Sequence, residues 1–181
     1  WRFNETVYVD LKEVQDATGR NCQTLLIVDA ASSLTVMVGM KDESAATAAD
    51  VFMRFWVRWA GTPDKVISDK GNHFRGDFRE HLQASGITQT VVPPEAHWQV
   101  GFVERTGQVM DDICCSIVAA TGAQGDDEME HVFCYACQAK NRRPGRSGYS
   151  SRSFAFGLDE RLPGTVLSHR LEKPDDVALC L

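Results

Sequence analysis

The sequence predicts an α/β domain in which a mixed five-stranded sheet is flanked by helices. Three β-rich runs follow one another through short polar turns up to Met40. Two more runs are each reached through a segment with helical spacing. Beyond Gly101 the apolar residues recur at helical intervals only. At 181 residues the chain is long enough for one domain with a buried core. Its hydrophobic fraction of 43% and charged fraction of 24% read as soluble and globular. No apolar run approaches membrane-spanning length, so no membrane partner is expected.

Taken in order, Thr6–Leu11 alternates and is β-rich, which places Asp10 on a strand. Asp16–Asn21 is turn chemistry. Thr24–Val28 is a continuous apolar run ending in Asp29, and Thr35–Met40 is another; tight connections make the three an antiparallel meander. Asp42 or Ser44 can cap the next element. From Ala45 to Ala60, Val51, Phe52, Phe55, Trp56 and Trp59 fall at helical spacing, and Gly61-Thr62-Pro63 stops the helix. Val66–Asp69 is then a short strand ending on an acid. Because a helix leads into it, it should run parallel to the first strand.

A helix over Arg75–Ala84 stops at Gly86, and Ile87–Val92 is the fifth strand, ended by Pro93-Pro94. Pro93–Gly101 has no periodicity and reads as a loop. Phe102, Thr106, Val109, Met110, Ile113 and Ile117 then share one helical face. Glu104, Gln108 and Asp111 lie on another, expected to point to solvent. Asp126–Ala139 is a further helix. Past Asn141, Pro, Gly, Ser and Arg dominate, so residues 141–181 are expected to be an irregular extension to a core of residues 1–140. The chain has no initiator Met and opens almost directly onto a strand, which reads as a piece of a longer protein.

The net charge is −6 and the pI near 5.3. That argues against tight DNA binding through this segment alone, since release of counterions needs clustered Lys and Arg. A nucleic-acid enzyme stays open, because bound cations supply local positive charge. Six cysteines, at 22, 114, 115, 134, 137 and 180, suit a reduced intracellular protein better than a disulfide framework.

Three carboxylates stand at element ends. Asp10 lies on the first strand, Asp69 ends the strand expected beside it, and Glu104 opens the helix after the fifth strand. Three anions brought together repel unless a cation sits between them. Oxygen ligands without His or Cys favour Mg²⁺ or Mn²⁺ over zinc. Two such ions roughly 3.5–4 Å apart activate an attacking oxygen and stabilise a leaving one at a phosphodiester.

Other residues have plainer readings beside the functional ones. Asp29 competes as a catalytic acid, but a turn or capping role suits its place after a buried run. His73 suits a polar helix start, while a water-orienting or metal role is the rival. His97 and Trp98 either stack on DNA or anchor their loop. Cys134 and Cys137 have metal-ligand spacing without a second pair, so core packing is expected of them, as of Cys114-Cys115. Phe55, Trp56 and Trp59 read as packing or as a subunit interface. Lys140, Arg142, Arg143 and Arg146 form a basic cluster that either contacts phosphates or is simply solvated.

Four stretches together resemble the integrase catalytic core of LTR retrotransposons and retroviruses. They are Val7-Tyr8-Val9-Asp10, Ile27–Ser32 (IVDAAS), Ile67–Phe74 (ISDKGNHF) and His97–Arg105 (HWQVGFVER), in that order. Gly148-Tyr149-Ser150, Phe156-Gly157 and Leu162-Pro163-Gly164 are similar to the tail that follows that core. The resemblance implies a ribonuclease H-like fold and a D,D,E triad at Asp10, Asp69 and Glu104. It also implies a two-metal Mg²⁺ or Mn²⁺ site on those residues, with Asp10 bridging both ions. The reactions it implies are trimming of a DNA 3′ end and joining of that end to target DNA.

On this reading the partners are element-end DNA, target DNA and further copies of the chain, and the setting is the nucleus or a virus-like particle. DNA contacts are expected from Lys70, His97, Trp98, Arg105, Arg142 and Arg143. Two alternatives accompany it: a catalytically decayed DNA-binding or assembly module, and a ribonuclease H-like nuclease.

Overall fold

Strand β1 (Thr6–Gln15) is the middle of the sheet. The computed structural model describes residues 2–92, 101–145 and 148–157. β1 pairs antiparallel with β2 (Asn21–Asp29), which pairs antiparallel with β3 (Thr35–Gly39). On its other side β1 pairs in parallel with β4 (Lys65–Ser68), and β4 with β5 (Thr88–Val91), giving the order β3-β2-β1-β4-β5. The expected mixed five-stranded sheet is therefore present, with β1 and β2 longer than their apolar runs. Hydrogen bonding carries a strand past the point where side-chain hydrophobicity stops marking it.

Because strand side chains alternate, β1 feeds two cores. Val7 and Val9 face helices α1 (Ala45–Phe52) and α3 (Asp77–Ala84), packing with Phe52, Trp56, Phe74 and Phe78. Val14 and the inward edge of Tyr8 face helices α4 (Gly101–Thr121) and α5 (Gly125–Arg142), packing with Leu26, Val28, Met110 and Phe133. Burying such side chains stabilises by about 1.5–3 kcal/mol each.

The helix expected over Ala45–Ala60 is not uniform. After α1 it widens into a π-helical segment (Met53–Val57) and closes with α2 (Arg58–Ala60). Widening shifts the phase of the apolar face. Trp56 turns fully inward and donates from Nε1 to Asn4 Oδ1 at 2.8 Å, while Phe55 and Trp59 stay 43% and 44% exposed. The three aromatics thus split between core and surface. Phe3 and Phe156 cover part of Trp59, with ring centroids 6.1 and 5.9 Å away.

Helix α5 runs on to Arg142, and a short helix α6 (Ser151–Phe156) follows. This differs from the extended, loosely packed chain expected after Asn141. Ser150 caps α6 by accepting from Ser153 N at 2.9 Å, and Ala155 packs against the α1 core. Residues 158–181 lie outside the described residues.

α5 also covers the edge of β3. Glu130 Oε2 accepts from Gly39 N at 3.0 Å, Cys137 Sγ from Met37 N at 3.1 Å and Asn141 Oδ1 from Thr35 N at 2.9 Å. The outward amides of an edge strand are thus satisfied by one helix. Cys137 does pack as expected, and burial pushes its thiol up to about 12; Cys134 and Cys115 instead stand exposed. No disulfide links the cysteines among the described residues.

Candidate active site

Parallel pairing sets Tyr8 beside Ile67. Asp10 and Asp69 each lie two positions further along, so they leave the same face of the sheet at the same level. The aspartates are electrostatically coupled. Burial pushes the Asp10 carboxyl above the ordinary carboxylate range, Lys12 pulls it back and Asp69 pushes it up again. Lys12 Nζ lies 3.5 Å from Asp10 Oδ2, and both side chains are about one-quarter exposed, at 24% and 23%.

Asp69 is held by the turn that follows it. Its Oδ1 accepts from Gly71 N at 2.9 Å. A Cβ on Gly71 would lie 2.9 Å from that oxygen and 2.2 Å from His73 Nε2, so only glycine lets the two side chains fold over the turn. His73 begins the short 3₁₀ turn Asn72–Phe74, its ring edge-on to Phe74. Lys70 is exposed immediately beyond Asp69.

The third acid arrives on α4. Phe102 packs on Tyr8 at 5.9 Å between ring centroids, and Gly107 lies over β1 and β2. A Cβ at Gly107 would lie 2.5 Å from Lys12 Cε and 3.6 Å from Leu26 Cδ2. Glycine there opens the passage through which Lys12 reaches Asp10. Glu104, Gln108 and Asp111 share one stripe of α4, at helical spacings of four and three residues. Asp111 at its far end lies close enough to Lys12 for their charges to interact. That stripe therefore faces Lys12 and Asp10, with Glu104 exposed in the first turn.

Asp111 does not point to solvent as expected. Its Oδ1 is buried without a hydrogen-bond partner among the described residues, and burial pushes its carboxyl upward while Lys12 lowers it. The tilt of α4 on the sheet turns this end of the stripe inward, which periodicity within one helix does not encode. Reading the sequence also missed Lys12 and Gly107. The signal was present in Gly107, because a glycine inside a strong helical pattern usually marks a close approach.

The donor set fits a hard divalent cation in part. Asp10 and Asp69 are neighbouring carboxylates whose repulsion such an ion relieves. Among the described residues, no three His, Cys, Asp or Glu side chains close around one point. Glu104 thus shares the face without joining the pair in one coordination shell.

The remaining candidates separate. Arg105, one residue past Glu104, lines a cavity on the opposite flank of α4 together with Arg143. Arg142 is half-buried in the last turn of α5. His97 and Trp98 lie outside the described residues. Asp29 is fully buried, accepting from Asn4 N, Ala31 N, Ser32 N and Ser32 Oγ at 2.8, 3.1, 2.7 and 2.7 Å. It is a turn-forming acid with its oxygens taken.

This architecture is that of integrase catalytic cores, which have the ribonuclease H-like fold. The HTLV-2 integrase catalytic core domain, solved in complex with magnesium, superposes with a TM-score of 0.71 at 16% identity, over 84% of this chain and 96% of that one. The BIV integrase catalytic core gives 0.69 at 18% identity, over 85% and 95%. The simian T-cell lymphotropic virus intasome, in complex with a PP2A regulatory subunit, gives 0.75 at 16% identity, over 88% and 56%. In sequence, the Gag-Pol polyprotein of walleye dermal sarcoma virus is 25% identical over 152 residues, 83% of this chain. The chain spans only 8% of that polyprotein's length. No family model matches the chain.

Proposed function

We propose that this chain is the catalytic core of a retroelement integrase, a divalent-metal-dependent polynucleotidyl transferase that trims and joins DNA 3′ ends. One observation carries the reading: parallel register sets Asp10 and Asp69 side by side at a strand end, under a helix whose inward-facing stripe begins at Glu104. Asp10, Asp69 and Glu104 would hold Mg²⁺ or Mn²⁺. When bound, the cation supplies charge to activate the attacking oxygen and to stabilise the leaving one.

The chain's own residues prepare the site. The Gly71 amide fixes the Asp69 carboxylate, and Lys12 holds Asp10. Movement of the α4 N-terminus toward the aspartate pair completes the set with Glu104. Lys70, beside Asp69, contacts DNA backbone. His97 and Trp98, just before α4, contribute to the same DNA path. The magnesium complex of the HTLV-2 core supports the choice of ion, and the intasome likeness supports DNA and further copies of the chain as partners. The Gag-Pol likeness supports a virus-like particle, followed by the nucleus, as its setting.

The test is incubation of the chain with labelled branched DNA that mimics a joined product, with Mn²⁺ or Mg²⁺. Reversal of joining that disappears in Asp69→Asn and in Glu104→Gln supports the proposal. DNA binding without turnover in the parent chain would instead establish a decayed assembly module. Asp111, buried and unpaired on the site's own helix, is the observation that favours that second reading. Cleavage confined to RNA in RNA–DNA hybrids would establish a nuclease.

A further inference from the structure

On the flank of α4 away from the aspartates lies a cavity of about 580 Å³, bounded by the β2–β3 turn, the end of α5 and α6. Three cations line it, Arg105, Lys140 and Arg143, and none of its described lining residues is acidic, in a chain whose net charge is −6. Neither Arg105 nor Arg143 makes a side-chain ion pair or hydrogen bond among the described residues, and both are exposed.

Lys140 is different. Its Nζ is drawn inward, donating to Ser33 O and, at 3.4 Å, to Ser151 Oγ, with no carboxylate in salt-bridge range among the described residues. Burial brings its ammonium down to about 8. A cation held this way, without a counter-charge, is completed by an anion. Two aromatics on the rim, Tyr149 and Phe154, are 66% and 54% exposed.

We infer that this cleft binds an unpaired nucleic-acid strand, with its phosphates on Arg105, Arg143 and Lys140 and its bases against Tyr149 and Phe154. Interleaved cations and bare aromatic faces are what a single strand uses, because unstacked bases offer π-faces. A duplex keeps its bases stacked inside and has nothing to set on Phe154. The volume suits one or two nucleotides rather than a lone phosphate. Arg105 follows Glu104 on the same helical turn, so a strand leaving the aspartate edge meets the cleft on crossing α4. The inference does not require the acids to be catalytic.

The experiment is fluorescence anisotropy with a short labelled oligothymidylate and a blunt duplex of equal length, at low salt and without metal. The single strand should bind several-fold more tightly than the duplex. Arg105→Glu with Arg143→Glu should weaken it about tenfold or more. Phe154→Ser should weaken the single strand roughly tenfold while barely touching the duplex. Tyr149→Ser, at a more exposed position, repeats the test if Phe154→Ser lowers the melting temperature. Asp69→Asn should retain the binding, which separates failure of this cleft from failure of the transferase reading. Unchanged affinity in the double charge reversal overturns the inference. So does equal loss for both DNAs with no effect of either aromatic variant, the mark of a general cationic surface. Displacement of the strand by a polyglutamate peptide at equal concentration overturns it as well, by assigning the cleft to acidic protein segments.

Discussion

Asp29 and Asp10 sit on neighbouring strands of one ladder, opposite Val7 and Leu26 respectively, yet in opposite circumstances. Asp29 has no exposed surface and accepts from three backbone amides and a hydroxyl. Asp10 keeps a path to solvent, has a like charge beside it in Asp69 and is partly neutralised by Lys12. Both follow β-rich runs, so hydrophobic pattern alone ranks them alike. What separates them is whether the fold has already spent the carboxylate's lone pairs. An acid whose acceptors are filled shapes a turn. An acid crowded by another acid at a strand end is held in a state that a cation or a proton relieves, which is the usual signature of a working site.

The sharpest break of that comparison is Asp69→Asn. It should cut joining reversal by about a thousandfold or more, roughly 4 kcal/mol in barrier terms, while leaving urea stability within about 0.5 kcal/mol. Asp29→Ala should do the reverse. It strands four donors, so urea denaturation should show a loss of about 3 kcal/mol or more.

A finer measurement probes the charges directly. In a carboxyl-carbon NMR titration, Lys12→Met should raise the pKa of Asp10 and Asp69→Asn should lower it, since Lys12 pulls it down and Asp69 pushes it up. A reversed sign in either variant would contradict the juxtaposition. The smallest effect concerns Asp16, a third acid, held below the ordinary carboxylate range chiefly by the Thr18 hydroxyl, then by the Gly125, Arg20 and Thr18 amides. A depressed folded-state pKa stabilises fully above the unfolded value of about 3.9 and is lost as pH falls toward the folded one. The melting temperature of wild type should exceed that of Asp16→Asn by a constant margin above about pH 5, and the margin should shrink in more acidic buffer.

Much of the fold was legible because it rests on patterns that are local. The apolar runs at Thr24–Val28 and Val66–Ile67, the turn at Asp16–Asn21 and the helical spacing from Phe102 to Ile117 each carry their own signal. The ends were less legible. α6 forms from a Ser-rich stretch with little periodicity because Ser150 caps it and the α1 core receives Ala155. The π-helical turn that buries Trp56 and leaves Trp59 at the surface was hidden for a similar reason. It answers to Asn4, 52 residues away, and no window along the chain contains both.

By itself the sequence determined that strands would end on acids and that Asp10 and Asp69 would sit on elements able to run in parallel, because side-chain alternation and helix-mediated crossovers are properties of short segments. The tertiary structure decided the rest. It turned Asp111 inward, passed Lys12 through the gap at Gly107, gave the edge of β3 to Glu130, Cys137 and Asn141, and sent Arg105 to a different flank from Glu104. Each of those depends on the angle and depth at which a helix settles on the sheet, and that is fixed by the sum of contacts across both layers.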